Sequence, residues 1–596
     1  MSPKGGPNPA GLRYQADETP PLRLTIGLGL QLAVLTVAIP VLIPTAVMRI
    51  AGAPEEYLSW AAFAAVAISG AGTALQALRF GRIGAGQVLV MGSSGAFIGV
   101  SIVAIAESGP ALLATLVVCS ALFQLLVSAR LALFRRLLTP AVSGTVIMLV
   151  PVTVVPIVFG MLEDVPDGSP VHTAPVIALA TTIAMVGISL KGTPVLRLWS
   201  PIIGIVAGAA VAGFLGVYDV ERIAEAAWFG LTEWRAPGFD LAFGAPFWAL
   251  IPAFLLASLI GSIRTMSSCT AMQRVSWRSR RPVDFRSVQG SVTVDGIGNL
   301  LAGMAGTVPN TTYSLAAPLA EITGVASRTI GIATGAIFLA LVCLPKALAV
   351  VLAVPGPVVG AYLIVLMAML FVIGMSVALQ DGMNYRTGLI VGVSFWLGIG
   401  FQNDLIYPEL VSDLAGGILS NGLTSGGLAA ILMTWLVEGS GPRPRRIETV
   451  CAVSALPQIR KFLRAAAARY RWGEAMADRL DAVAEETLLT LLQPLDDGET
   501  DERPRRLRLT LSRGEGGATL EFVTALSGEN IEERLSLLGD VNDQGRAERD
   551  VSIRLLRHLA ASVRHQQYHD ADIVTVQVEE PVAGSRQDPK RGRARD

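Results

Sequence analysis

The chain has 596 residues, of which 52% are hydrophobic and only 16% are charged, with 61 glycines and 34 prolines. An ordinary soluble domain carries about 25% charged residues, so this composition excludes a soluble enzyme built on one large core. Basic and acidic residues balance at 47 each, which gives no indication of nucleic-acid binding. The charges concentrate in residues 443–596, so the sequence predicts a membrane domain followed by a soluble one.

The two ends of the chain and its cysteines show no sign of a catalytic or metal site. Residues 1–22 are polar and rich in Pro and Gly, and they predict a disordered cytoplasmic N-terminus. Residues 581–596 predict a disordered basic tail. The four cysteines lie far apart, and the membrane region contains no Walker or GxSxG motif. We expect no enzyme, no cofactor and no metal.

Uncharged stretches long enough to cross a bilayer recur through residues 23–440. The run Gly296–Ala320 contains Gly303, Gly306 and Pro309, so we interpret it as two short segments, which gives fourteen spans in all. With the N-terminus inside, most loop Lys and Arg residues fall on the inner side, so a multi-pass protein of the inner membrane with both termini cytoplasmic is predicted. The predicted spans are Leu24–Met48, Tyr57–Leu78, Ile83–Ala106, Ser108–Ala129, Leu137–Leu162, Gly168–Leu190, Leu198–Tyr218, Leu241–Ile263, the two segments of Gly296–Ala320, Thr329–Pro345, Ala347–Gln380, Thr387–Asn403 and Leu414–Val437.

An internal repeat relates the two halves of the membrane domain. The segment Thr139–Gly144 recurs as Gly356–Gly360, with Pro140 and Pro357 in equivalent positions. The same offset carries Ser93 onto Asn310. Since each half has seven spans, an odd number, the halves must be inverted repeats.

Polar clusters lie inside the equivalent segments 3 and 10. Asn310, Thr311, Thr312 and Tyr313 follow Pro309 directly, and polar groups at bilayer depth cost free energy unless they are paired. Broken helices whose N-termini face a central cavity would use these groups to bind a solute. The alternative is that they cap short helices or bond across packed ones. Gln31, inside the first span, is open to the same two interpretations.

Ionisable groups near the spans are candidates for ion coupling. We place Asp295 at the inner start of segment 9, Glu321 at the inner end of segment 10, and Arg264 at the inner end of segment 8. A structural ion pair, for example between Asp295 and Arg264, explains such charges as well as coupling does. Glu321 is the stronger candidate for a proton site, with snorkelling to the interface as its alternative.

Residues 22–440 resemble the nucleobase/ascorbate transporter family, the xanthine and uracil permeases. The resemblance rests on Gln87–Ile98, Leu137–Gly144, Asp295–Gly303, Pro309–Ser314 and Thr323–Gly331. It implies a core domain of segments 1–4 and 8–11, a gate domain of segments 5–7 and 12–14, and a homodimer through the gate domains. It also implies a solute site between short strands that precede two half-helices, formed by Gln31, Ser93, Ser94, Gly95, Ala96, Phe97, Gly261, Ser262, Asn310, Thr311, Thr312, Tyr313, Ser314 and Leu315.

The chain departs from the family pattern at its acidic positions. Members usually carry an acid where this chain has Gly261, and a Glu or Gln where it has Leu315; Leu32 replaces a His. Acids there would accept the N–H groups of a nucleobase. We therefore predict a symporter of a nucleobase-like or other small polar solute with an atypical site, coupled to H⁺ or Na⁺. The alternative is an anion transporter, or a ligand sensor that signals through its cytoplasmic domain.

Residues 443–580 predict a cytoplasmic α+β domain. Its pattern is similar to the histidine-kinase-like ATPase fold of anti-sigma serine kinases, but Leu489 and Thr490 stand where a Mg²⁺-binding Asn is expected. We expect a degenerate regulatory domain that binds a cytoplasmic partner. His565 and His569 have i, i+4 spacing on a predicted helix running through Arg564, which we interpret as a solvated surface, with a zinc pair as the alternative.

Overall fold

The computed structural model describes residues 12–134, 139–166, 168–279, 281–380, 382, 384–409, 419, 421–440, 444–492, 506–514, 517–524, 551–569 and 571–580. The chain divides into two compact units. One consists of Met1–Ser279 and Arg286–Glu438, and the other of Arg280–Phe285 and Gly439–Asp596. We call them the membrane unit and the C-terminal unit.

The membrane unit is built almost entirely of helices. Its first half contains α1 (Leu22–Ile50), α2 (Glu55–Ala77), β1 (Val90–Ser93), α3 (Ile98–Ala129), α4 (Leu131–Phe134), α5 (Pro140–Gly160), α6 (Thr173–Lys191), α7 (Pro194–Phe214) and α8 (Val220–Glu225). Its second half contains α9 (Ala245–Val275), α10 (Phe285–Ala305), β2 (Asn310–Tyr313), α11 (Ala316–Thr323), α12 (Arg328–Val342), α13 (Pro345–Leu352), α14 (Gly356–Ala378), α15 (Tyr385–Gln402) and α16 (Gly422–Ser440).

Eight of the described helices are long and apolar enough to cross a membrane, or nine when the bent pair α12 and α13 counts as one span. The polytopic membrane fold is thus confirmed, whereas the count of fourteen spans stays a prediction. Ser108 and Gly109 have non-helical dihedral angles inside α3. The helical run of α3 therefore consists of two helices joined at a kink, as the sequence predicts for segments 3 and 4.

The repeat is visible in the helices that follow the two strands. α5 and α14 each carry a proline in the first turn, where the missing N–H is tolerated. The two helices pack antiparallel: Gly144 near the start of α5 lies against Ala378 at the end of α14, and Gly360 near the start of α14 lies against Val158 of α5. This opposite orientation is the arrangement that inverted repeats produce.

Three span boundaries differ from the prediction. α10 begins at Phe285 and α9 continues to Val275, so Asp295 and Arg264 lie in the middle of their helices and not at helix ends. Counting only uncharged residues misses these turns, because α9 and α10 continue through charged residues such as Arg264 and Asp295. The predicted segment 12 divides into α13 and α14, and α12 and α13 meet at 88° where Pro345 starts a new helix.

Residues 12–18 are ordered, in contrast to the prediction for residues 1–22; residues 1–11 lie outside the described part. Arg13 N–H donates to Gly324 O at 2.7 Å, and Ala326 N–H donates to Tyr14 O at 2.9 Å. The Arg278 guanidinium donates to both carboxylate oxygens of Glu18, at 2.7 and 2.8 Å. These bonds make residues 12–18 a strap across the α11–α12 loop and the end of α9.

The C-terminal unit contains a five-stranded antiparallel sheet in the order β3-β4-β5-β7-β6. Alternate residues of its strands, such as Leu509, Phe522 and Val576, are fully buried against helices. Its elements are β3 (Arg445–Val450), α17 (Leu456–Tyr470), α18 (Glu474–Leu491), β4 (Arg506–Gly514), β5 (Gly517–Thr524), α19 (Val551–Leu559), β6 (Ser562–Gln567) and β7 (Asp572–Glu579).

The predicted α+β class of this unit is confirmed, but two of its details are wrong. Residues 562–567 form β6 and do not continue a helix, so His565 and His569 do not share a helix face. His565 is 1% exposed, with Nε2 3.9 Å from Asp572 Oδ2, so it is not a solvated surface residue. The helix predicted near Asn530–Leu538 lies outside the described residues, and the likeness to a kinase-like ATPase stays a prediction.

Candidate functional site

The two predicted polar clusters meet in a short antiparallel ribbon of β1 and β2. Ser93 pairs with Asn310 in this ribbon, and Val90 pairs with Tyr313. Tyr313 crosses over the ribbon, and its hydroxyl donates to Ser93 O at 2.9 Å. A side chain at Gly92 would collide with the Tyr313 hydroxyl, so this crossing requires glycine. The residues that the repeat equates are thus direct neighbours.

One network of amides ties the ribbon to three helices. Asn310 N–H donates to Asn299 Oδ1 at 2.6 Å, Asn299 Nδ2 donates to Gln124 Oε1 at 2.7 Å, and Gln124 Nε2 donates to Ser262 Oγ at 3.2 Å. All four residues are buried. Such a chain of satisfied bonds holds β2 in a defined position between α3, α9 and α10.

A second network surrounds the fully buried carboxylate of Asp295. The hydroxyls of Thr265 and Thr312 both donate to it, the latter at 3.0 Å. Gln76 Nε2 lies 3.4 Å from Thr312 Oγ1 and also donates to Ser291 O at 3.0 Å. Asp295 therefore faces β2, and it joins the ribbon to α9 and α10, two of the three helices that the amide network reaches.

Arg264 contacts the ribbon from the neighbouring helix. Its guanidinium carbon lies 5.8 Å from the centre of the Tyr313 ring, a distance at which a cation and an aromatic face attract. It forms no ion pair with Asp295 within 4 Å among the described residues, so the ion pair considered from the sequence is not present. The two charges interact only at longer range.

Buried polar atoms without partners face this region. Among the described residues, Ser93 Oγ, Asn310 Oδ1 and Tyr362 Oη have no hydrogen-bond partner. The first two belong to the ribbon, and Tyr362 belongs to α14, whose Met367 also comes within 3.2 Å of where a Gly95 side chain would begin. Unpaired buried groups of this kind are costly unless a ligand or water bonds to them.

The other predicted residues are placed unevenly around the ribbon. Ser94, Ala96 and Phe97 are buried and follow β1 into α3; Ser94 N–H donates to Pro309 O at 2.8 Å. Ser314 is exposed and bonds to Ser268 at 2.7 Å, and Leu315 precedes α11. Gln31 is half-buried in α1, and Glu321 is exposed in the last turn of α11.

Thr311 and Gly261 define an open position between β2 and α9. Thr311 Oγ1 lies 3.5 Å from Gly261 O, and a side-chain carbon at Gly261 would make ordinary contacts of 3.8 and 3.9 Å with Thr311 and Gln124. The structure therefore has room to begin a side chain at the position where relatives are expected to carry an acid.

The sequence interpretation missed Gln76, Gln124 and Asn299 as site residues, and it missed the role of Arg264. Each is a polar side chain inside a span, which is the signal that could have found the three amides. Arg264 was instead assigned to a helix end, because the predicted segment 8 stopped too early.

Several known permeases are similar to this chain in sequence. Residues 23–405 match the xanthine/uracil permease model, described as Permease family. A putative purine permease of Clostridium perfringens is 26% identical over 62% of this chain and 81% of its own length. The xanthine permease XanP of Escherichia coli is 25% identical over 71% of this chain and 94% of its own. The transmembrane domain of the cyanobacterial bicarbonate transporter BicA aligns over 71% of this chain and 99% of its own at 13% identity, with a TM-score of 0.42.

The family match and the permeases similar to this chain identify a multi-pass membrane transporter rather than an enzyme. Because the family match covers more than half of the chain, the chain belongs to the permease family of xanthine/uracil type.

Proposed function

We propose that the chain moves a nucleobase-type solute across the inner membrane by alternating access, with the solute bound at the β1–β2 ribbon. The observation that carries this proposal is the pairing of Ser93 with Asn310, one from each repeat, with buried side-chain oxygens that have no partner among the described residues. Transporters of inverted-repeat architecture place their site where broken segments from both repeats meet.

The packing of the helices supports a moving gate. α5, α6, α7, α14 and α15 pack with one another, while α1, α2, α3, α9 and α12 form a second set. We propose that the first set rocks against the second and exposes the ribbon to each side in turn.

Asp295 is the proposed coupling residue. Its carboxylate is buried and bonded to Thr312 of the ribbon, so binding of a proton or Na⁺ there would be felt directly by β2. Glu321 is exposed in α11 and lacks such a connection to the ribbon. A coupling cation at Asp295 would also remove the uncompensated charge that burial makes unfavourable.

The remaining proposals concern the surroundings of the protein. Apolar side chains on α6 and α7 are widely exposed, for example Ile183 and Val206 at 61% each, as lipid contact requires. The distribution of Lys and Arg between the predicted loops supports cytoplasmic termini. We also propose a homodimer through the gate helices and a cytoplasmic partner for the C-terminal unit.

Uptake of radiolabelled xanthine, hypoxanthine, uracil and urate into cells lacking their own purine permeases tests the site. The double variant Ser93→Ala, Asn310→Ala removes the polar atoms without adding side-chain volume at these buried positions. We expect it to lose about tenfold or more of the uptake, as expected when one or two bonds to a solute are removed. Thr36→Val is the matched control, because the Thr36 hydroxyl donates only within its own helix, most closely to Leu32 O at 2.7 Å. Equal uptake by wild type and the double variant, at equal amounts in the membrane, would sink the site assignment.

A further inference from the structure

We infer that the solute binds as an anion, a deprotonated oxopurine whose negative edge is held by Arg264 beside the β1–β2 ribbon. This inference rests on the proposed function and names its substrate class. Arg264 lies in the middle of α9, against the Tyr313 ring.

The guanidinium of Arg264 has no acceptor among the described residues. Its Nε is fully buried without a hydrogen-bond partner, and its guanidinium carbon lies over the Tyr313 ring. A guanidinium carries five N–H donors and stays charged at any working pH. Arg264 is half-buried, and a cation in such a place is stabilised by an anionic acceptor, which no protein group supplies among the described residues of the site.

Among the described residues, Asp295 supplies the carboxylate of this part of the site, and it already accepts two hydrogen bonds. Asp295 accepts hydrogen bonds from Thr265 and Thr312 and lies beyond ion-pair distance of Arg264. No carboxylate stands at Gly261 or Leu315. A neutral base would present its N–H donors to the guanidinium of Arg264. The guanidinium itself carries only N–H donors, so the two groups could not hydrogen-bond to each other.

Two further unpartnered groups complete the anion site. The Ser93 residue is 1% exposed and the Tyr362 residue is 2% exposed. Ser93 Oγ and Tyr362 Oη have no hydrogen-bond partner among the described residues. Tyr362 and Arg264 are close enough to interact electrostatically. Both hydroxyls are donors to an oxygen or a deprotonated ring nitrogen. The positive charge comes from Arg264 of α9, and the neutral hydroxyl donors come from Ser93 of β1 and Tyr362 of α14. An anion with several acceptor atoms can bind to such a combination.

Binding to the purified full-length protein tests this inference. Urate is anionic at neutral pH, hypoxanthine is a neutral purine of similar size, and benzoate is an anion that is not a purine. Each is titrated against wild type, Arg264→Gln, Arg264→Lys and the control Arg328→Gln. The control removes a positive charge from an exposed position in the first turn of α12. Thermal unfolding of each variant without solute shows whether it is folded.

We expect wild type to bind urate more tightly than hypoxanthine. Arg264→Gln should weaken urate binding by about tenfold or more while hypoxanthine changes little, Arg264→Lys should fall between, and Arg328→Gln should match wild type. Benzoate bound as tightly as urate would overturn the purine part of the inference. Urate bound equally by wild type and folded Arg264→Gln would overturn the role of Arg264.

A reciprocal variant separates this inference from the proposed function. Gly261→Glu combined with Arg264→Gly removes the cation and introduces an acceptor carboxylate, so preference should shift from urate to hypoxanthine. If wild type and the double variant both take up hypoxanthine better than urate, the proposed transport function stands and the anion inference fails. If wild type takes up uracil but binds no purine, transport stands and the anion inference fails. If wild type takes up no nucleobase at all, the proposed function fails, and the inference fails with it.

Discussion

Asp295 and Arg264 lie on adjacent helices at the same ribbon, yet their surroundings differ. Asp295 is held by two threonine hydroxyls, whereas Arg264 rests on an aromatic ring and has no acceptor among the described residues. The carboxylate is therefore built into the resting structure, and the guanidinium is left available. We therefore expect a substitution of Asp295 to change the coupling, and a substitution of Arg264 to change the recognition of the solute.

Asp295→Asn should reduce uptake by about tenfold or more and remove its dependence on the cation gradient. The substitution replaces a charged acceptor of two hydrogen bonds, each contributing about 1.5–3 kcal/mol, by a neutral amide. Uptake into proteoliposomes with and without a proton or Na⁺ gradient measures both effects. Thr312→Val should weaken uptake several-fold, with Thr36→Val as the control. Gradient-driven uptake that persists in Asp295→Asn would exclude Asp295 as the coupling residue.

Close packing of α2 and α12 depends on glycine. A side-chain carbon at Gly335 would lie 2.6 Å from Gly70 O and 2.8 Å from Ala74 N, and these backbone atoms cannot move aside cheaply. Glycines at helix interfaces of membrane proteins permit such approach. The result is a rigid pair of helices behind the ribbon, and a substitution at Gly335 tests this packing.

Gly335→Ala should lower the free energy of unfolding by about 1–3 kcal/mol, the usual effect of overpacking. Gly187→Ala in α6 is the control, because nothing lies within 4 Å of its position; there the greater helix propensity of alanine should be neutral or stabilising by up to about 1 kcal/mol. Thermal unfolding in detergent measures both. Equal unfolding temperatures for the two variants would contradict the described packing of α2 and α12.

The docking of the strap of residues 12–18 should depend on pH. The hydrogen bonds from Arg278 hold the pKa of the Glu18 carboxyl below its ordinary value. Because the docked strap favours the carboxylate, its stabilisation is fully present above the ordinary pKa of the carboxyl. It is lost as the pH falls through the lowered pKa.

Hydrogen exchange of residues 12–18, corrected for the intrinsic effect of pH, should therefore accelerate at acid pH. Glu18→Gln should exchange faster at neutral pH and show little further pH dependence. Asp17→Asn is the control, since Asp17 is exposed. Protection that is the same in wild type and Glu18→Gln would show that the backbone bonds to the α11–α12 loop suffice.

At the scale of the whole molecule, each unit has its own buried core. Leu463, Leu480 and Phe522 belong to the core of the C-terminal unit, whereas Phe254, Tyr362 and Leu116 belong to that of the membrane unit. A chain ending at Glu438 should therefore fold, bind solute with nearly the wild-type affinity and retain uptake. Binding and uptake by the truncated and the full chain are compared in proteoliposomes and in cells.

A response that depends on the C-terminal unit would appear as a difference between cells and proteoliposomes. If solute-dependent behaviour of the cell is unchanged by the truncation, the sensor alternative fails. If the truncated chain loses solute binding altogether, the membrane unit is not independent of residues 439–596.

Much of the architecture was accessible before the structure, for identifiable reasons. The offset that equates Ser93 with Asn310 placed both residues in the site, where they are now paired. Pro140 and Pro357 marked the first turns of α5 and α14. Helix ends were less accessible: α9 and α10 each extend about three turns past the predicted boundary, because they continue through charged residues at which a run of uncharged residues stops.

Hydropathy, the repeat and the family motifs were sufficient for the membrane class, the two-part organisation and the ribbon residues. These signals can be read from neighbouring residues in the sequence, because a bilayer requires each span to have a minimum length of apolar residues. Only the tertiary structure showed that Asp295 bonds to Thr265 and Thr312, that Gln124 and Asn299 connect the helices, and that Arg264 stands against Tyr313. Those relations depend on how α9, α10 and β2 pack, and residues far apart in sequence become neighbours only through that packing.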